Sequence, residues 1–121
     1  MFVRSDAGRY VEGYKHEKND CVVRAIAHAY DLPYNHAHAT IKSLGRQDRK
    51  GFHTPKAMEV HKYQYKQDLP HMTVKTFLRQ FPRGVYVLRI RGHAFAVKNG
   101  VIYDTFQPKL GSHIRQFWKV K

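Results

Sequence analysis

Carboxylates are scarce in this chain. Nine aspartates and glutamates face 22 lysines and arginines over 121 residues, a formal charge of +13. From position 69 onward Asp104 is the only acid. Such a balance predicts attraction to polyanions, either nucleic acid bound non-specifically or an acidic protein. It also asks why that one acid is there. Cysteine is scarcer still. Cys21 stands alone, which excludes an internal disulfide framework and leaves any zinc site to histidines and carboxylates. No apolar run approaches the roughly 18 residues of a membrane span, and the opening "MFVRSDAGRY" lacks an apolar signal core. The expectation is a soluble cytoplasmic protein without a membrane partner. There is no internal repeat, no low-complexity segment, no linker and no Gly-rich loop to cradle a phosphate. No block of five like charges marks a disordered basic tail.

What is present is a globular composition, 42% apolar and 13% aromatic, enough for one domain over residues 1–121 with a small core. The first 18 or so residues are polar, with Gly8 and Gly13, and read as irregular or a short strand. In "NDCVVRAIAHAYDLP" the apolar residues Val22, Ala25, Ile26 and Ala29 recur at helical spacing. Asn19 and Asp20 are candidate N-caps, and Pro33 lies past the end. A second helix is expected over "YNHAHATIKSLG", with Tyr34, Ala37, Ile41 and Leu44 on its apolar side and Gly45 as its stop. Thr54-Pro55 is a cap-plus-first-turn signal for a third helix to about Tyr63. Thr73 can cap a fourth, with Val74, Phe77, Leu78 and Phe81 on one face before Pro82-Arg83-Gly84.

After Gly84 the period becomes two. "VYVLRIR" alternates, "HAFAVK" and "VIYDTF" flank Asn99-Gly100, a strong two-residue hairpin signal, and "HIRQFWKV" reads as a last strand. The expected fold is α+β, with N-terminal helices packed on a C-terminal antiparallel sheet.

If Asn99-Gly100 forms the turn, Lys98 pairs with Val101 and Val97 with Ile102. His93, Phe95, Val97, Ile102, Asp104 and Phe106 then point to one face. His93 and Asp104 are diagonal neighbours there, roughly 7–8 Å apart at the backbone and within reach of an imidazole–carboxylate hydrogen bond. An apolar face should be buried, and a buried carboxylate needs a partner. The plain alternative is a surface Asp paired with one of the many arginines. Cys21 tips the balance, because it falls in the first turn of the first helix. There the helix dipole and free N–H groups favour the thiolate, the nucleophilic form. A cysteine at a helix start, a histidine on a strand and a third group to orient that histidine are what cysteine-based acyl chemistry requires. Asn19 has two readings open to it: a helix cap, or an oxyanion-hole amide beside the backbone N–H of Cys21.

With "NDCVVRAIA", "GRQDRKG" and "GHAFAVKNGVIYDTF" in this order, residues 19–106 resemble the papain-like cysteine hydrolase superfamily, in particular small bacteriophage proteins of that type. The resemblance implies Cys21 as nucleophile, His93 as general base and acid, and Asp104 as the group that orients His93. It also implies a peptide or protein substrate, no cofactor, and action in the cytoplasm of a bacterial host. A chain this short shows no extended substrate cleft. The rival expectation is a basic binding module on the same fold, with the triad inactive and nucleic acid or an acidic host protein as its target. A transferase that passes a thioester-bound acyl group to an amine is a third.

Nine histidines raise the question of a metal, and the expected answer is none. His36 and His38 do not share a helix face, and the spacing of His28, His61 and His71 is no zinc pattern. Tyr10, Tyr14, Tyr63, Tyr65, Phe117 and Trp118 lie among basic residues as base-stacking candidates, but no nucleic-acid motif frames them.

Overall fold

The computed structural model describes residues 1–59 and 72–121. Within them the chain runs β1 (Phe2–Arg4), α1 (Cys21–Ala29), α2 (Tyr34–Ser43), α3 (Thr54–Met58), α4 (Val74–Gln80), β2 (Val85–Ile90), β3 (His93–Lys98), β4 (Val101–Asp104) and β5 (Gln116–Lys119). The strands form one sheet in the order β1-β4-β3-β2-β5. The α+β class is as expected, but the sheet is mixed rather than antiparallel. β1 adds at one edge in parallel to β4, with Phe2 beside Ile102 and Arg4 beside Asp104. Three residues with no visible alternation carry no strand signal of their own. Pairing with β4 creates the strand.

The β3–β4 hairpin has the expected register, Lys98 to Val101 and Val97 to Ile102. Asn99 and Gly100 both take positive φ, 51° and 77°, as a two-residue turn of this twist demands. A second tight turn, Arg91-Gly92, joins Ile90 to His93. Gly92 supplies its positive φ of 70°. His93 is therefore the first residue of its strand, and Asp104 the last of the neighbouring one. Antiparallel pairing puts both at the same end of the sheet.

Both faces of the sheet are covered. Val87, Ala94, Ala96 and Trp118 pack against α1, α2 and α3. Tyr86, Leu88, Phe95, Val97, Ile102 and Phe117 pack against Val74 and Phe77 of α4. Phe117 and Trp118 are thus core residues and not stacking platforms. Ala94 and Ala96 present only methyl groups to α1, so the helix lies close to β3. α1 is buried almost all round: Val22, Val23, Arg24, Ala25, Ile26, Ala27 and Ala29 are all inaccessible.

Two helix starts differ from expectation. α3 begins at Thr54 itself, with His53 in the cap position; it ends at Met58, and the expected continuation to Tyr63 lies outside the described residues, as do His61, Tyr65 and His71. α1 has Asp20 at its cap, but the Asp20 side chain makes no capping bond, because other donors hold it. Thr73 does cap α4, accepting the Thr76 N–H. Among the described residues no helix is long and apolar enough to cross a membrane.

Candidate active site

Cys21 opens α1, and the first intrahelical bond runs from the Arg24 N–H to the Asp20 carbonyl, 2.9 Å. The N–H groups of Cys21, Val22 and Val23 consequently have no partner within the helix. Because α1 lies close to β3, the sulfur meets the start of that strand. The His93 imidazole and the backbone N–H of Ala94 are the groups that favour its thiolate. His93 Nε2 is 2.5 Å from Asp104 Oδ2, which leaves Nδ1 as the nitrogen facing the thiol. Cys21, His93 and Asp104 are thus brought together, with His93 hydrogen-bonded to Asp104 and acting electrostatically on Cys21. Cys21 is half-buried, and the Asp104 side chain is 1% exposed.

The electrostatics follow from these contacts. Burial opposes a thiolate at Cys21, but the His93 hydrogen bond, the Ala94 N–H and the charges of His93 and Arg24 outweigh it, so its pKa is lowered. Burial likewise opposes a charged His93. The Asp104 and Cys21 hydrogen bonds and charges prevail and push it up to about 9. Asp104 is held below the ordinary carboxylate range against its own burial, by His93, Arg24 and the Thr105 N–H. All three shifts favour thiolate, imidazolium and carboxylate together. This is the charge state in which a thiol is nucleophilic.

Sequence reasoning missed the group behind Asp104. Arg24 of α1, itself 7% exposed, donates from Nη1 to Asp104 Oδ1 at 2.6 Å and from Nε to Asp20 Oδ1 at 3.1 Å. Asp20, 1% exposed, also accepts from Arg9 Nη1 at 3.0 Å and Tyr34 Oη at 2.8 Å. The residue before the nucleophile is thereby tied through Arg24 to the carboxylate that holds His93. A signal did exist: Arg24 is the one lysine or arginine in "CVVRAIAHA", and a charge embedded in an apolar helix needs a buried partner. Asp104 has both a histidine and an arginine as partners, but it is buried and not the surface residue of the plain alternative.

Phe106 stands 4.8 Å from His93, ring centre to ring centre, and is 50% exposed. It covers one side of the imidazole and leaves an apolar surface facing outward. Asn19 is not brought into this series. Its φ is 53°, and its side-chain amide donates to the Arg49 carbonyl at 3.2 Å, so neither the cap nor the oxyanion reading describes where that amide points. The free N–H groups of the first α1 turn are the donors left for an oxyanion.

A second cluster lies in the loops. Glu17 accepts from both terminal nitrogens of Arg46, 3.2 and 3.0 Å, from the Arg49 N–H at 2.6 Å and faces His38 Nε2 at 2.8 Å. Although burial opposes it, Arg46 and His38 lower its pKa to about 2. Glu17, His38 and Asp48 bring one ligand atom each within 4.8 Å of one another. The guanidinium of Arg46 already occupies both Glu17 oxygens and repels a further cation, so this set fits a structural ion-pair network better than a metal. His28 and His36 are not part of it.

Comparison with protein-family models, with characterised proteins and with solved structures finds no match.

Proposed function

We propose that this protein is a small cysteine hydrolase of papain-like type, cleaving a peptide, isopeptide or related acyl bond through a Cys21 thioester. The observation that carries the reading is the continuous series Cys21–His93–Asp104, with the thiol pKa lowered and the imidazole raised to about 9. The Cys21 thiolate attacks the acyl carbon. The N–H groups at the start of α1 stabilise the developing oxyanion. His93, charged, gives its proton to the departing amine as the C–N bond breaks. Neutral His93 then takes a proton from water, whose oxygen attacks the thioester carbon and releases the acid and the Cys21 sulfur. Asp104 keeps the ring oriented and balances its charge. The nucleophile on a helix start and the His and Asp on adjacent strands support a papain-like assignment, and the motif resemblance supports a phage-encoded enzyme acting in a bacterial cell.

Thiol alkylation against pH tests this. Cys21 should react with iodoacetamide at pH 6–7 far faster than a thiol of ordinary pKa, about 8.5. A rate that rises only above about pH 8, or a thiol inaccessible until unfolding, overturns the proposal. The charge of +13 favours a second reading, a basic module that binds nucleic acid. That reading requires tight, sequence-selective binding; weak binding that fades steeply with salt is the general effect of charge.

A further inference from the structure

A cleft of about 500 Å³ is lined by Lys18, Asn19, Asp48, Arg49, Lys50 and Gly51. Two of these residues, Lys18 and Asn19, lead directly into Asp20 and Cys21. The opposite wall is the "GRQDRKG" loop, and that wall is fastened down. Arg46 Nε donates to the Lys50 carbonyl at 2.7 Å and Arg46 Nη2 to the Lys18 carbonyl at 3.1 Å. The Glu17 carboxylate accepts the Arg49 N–H, and the Asn19 amide donates to the Arg49 carbonyl. Arg49 is thereby held at φ 68°, a left-handed conformation that an arginine adopts only when its surroundings impose it.

This fixed backbone displays charge that no described residue neutralises in an ion pair. Lys18, Arg49 and Lys50 are exposed, and no salt bridge among the described residues uses their side chains. Asp48, the one acid in the lining, is engaged by Lys42 and His38, each at 3.4 Å. Three free cations around a pocket of this volume select an anion. Among the described residues no aromatic ring lines the cleft, so they offer nothing on which a base would stack. The neighbouring thiol acts on acyl carbons, which nucleic acid lacks.

We propose that this cleft is a substrate subsite for the carboxylate side chains of an acidic peptide, held beside the bond that Cys21 attacks. The inference rests on the reading of Cys21 as nucleophile. Lys18, Arg49 and Lys50 are its specificity-determining residues.

The test compares alkylation of Cys21 by iodoacetyl-Glu-Glu-amide and by iodoacetyl-Gln-Gln-amide at low salt. The acidic reagent should react about tenfold faster and with saturation. In the triple variant K18Q/R49G/K50Q the ratio should fall to about one while plain iodoacetamide reacts as before; glycine keeps the positive φ at position 49 without strain. The control R83Q/K109Q/R115Q removes the same charge from exposed positions outside the cleft and should retain the preference. A preference that survives the cleft substitutions, or that the control abolishes equally, overturns the proposal. If plain iodoacetamide itself reacts with the native protein only above about pH 8, the nucleophile reading fails. The subsite then stands or falls by equilibrium binding of fluorescein-labelled tetraglutamate to the same three proteins: loss of binding in the cleft variant alone supports it, and no binding to any of them overturns it. A single-stranded oligonucleotide that outcompetes the peptide at this cleft would also overturn it.

Discussion

Two carboxylates in this fold are each held by an arginine and a histidine, yet they are built for different ends. Glu17 meets Arg46 and His38 and fastens a loop; His38 is 5% exposed and packed against the Tyr14 and Tyr34 rings, 4.6 and 5.9 Å away. Asp104 meets Arg24 and His93, and the other side of His93 carries the Cys21 thiol. Identical ingredients give a staple in one place and, on the reading proposed above, an activated nucleophile in the other. What separates them is the third partner of the histidine and whether that histidine has a way out to substrate.

The largest expected effects come from removing each arginine. Arg24→Gln leaves Asp20 and Asp104 without their shared cation, and Arg46→Gln does the same to Glu17. Each should lower stability by about 3–5 kcal/mol, the scale for stranding a buried charge, read as a fall in Tm. Only Arg24→Gln should also shift the pH profile of Cys21 alkylation in the molecules that remain folded. Equal shifts in both variants would erase the distinction between the clusters.

Next in size is the direct comparison of the carboxylates. Asp104→Asn should slow Cys21 alkylation at pH 6–7 roughly 10- to 100-fold, since a hydrogen bond to a charged group is worth about 1.5–3 kcal/mol. His93→Ala should slow it further. Glu17→Gln should leave the rate unchanged while lowering Tm. An Asp104→Asn protein that loses Tm but keeps its thiol chemistry would make Asp104 a second staple, and the triad would be withdrawn.

The smallest effect is the pH dependence of Tm, where only the cluster that holds His93 should also fail at the alkaline end. Glu17 has a folded pKa near 2, below its unfolded value, so its stabilisation is present above about pH 4.3 and lost as pH falls towards 2. Asp104, also lowered, adds a loss in the same direction. His93 is raised to about 9, so its contribution is complete below about pH 6.5 and lost as pH rises through 9. Glu17→Gln should flatten the acid limb alone, and His93→Gln should flatten the alkaline limb. An alkaline limb that persists in His93→Gln would mean that the imidazolium is not what is lost there.

Local chemistry was readable from the chain. Asn99-Gly100, the Thr73 cap and the thiol at a helix start are decided within a few residues, and the hairpin turn alone sets the register that brings His93 near Asp104. What escaped depends on partners far away in sequence. The parallel pairing of the short first strand depends on β4, and Glu17 finds Arg46 across a loop. Arg24 is the instructive case. Its burial was implied by its apolar neighbours, but 80 residues separate it from Asp104, and nothing local names that partner. Asn19 erred the other way: a residue suited to capping was drawn to Arg49 because Asp20 already held the cap position.

The position of β1 sets the order in which the site can come into being. Arg4 pairs beside Asp104, and the Ser5 N–H reaches the Asp104 carbonyl at 2.7 Å, so β1 must wait for β4, which is synthesised much later. During translation at roughly 5–20 residues per second, Cys21 leaves the ribosome seconds before His93 and Asp104 do. Until β4 emerges, the thiol has neither its base nor its carboxylate, and a nascent chain carries an ordinary cysteine. If Cys21 is the nucleophile proposed above, completion of the sheet switches its reactivity on, and the thiol stays silent beside the protein-making machinery that is still producing it.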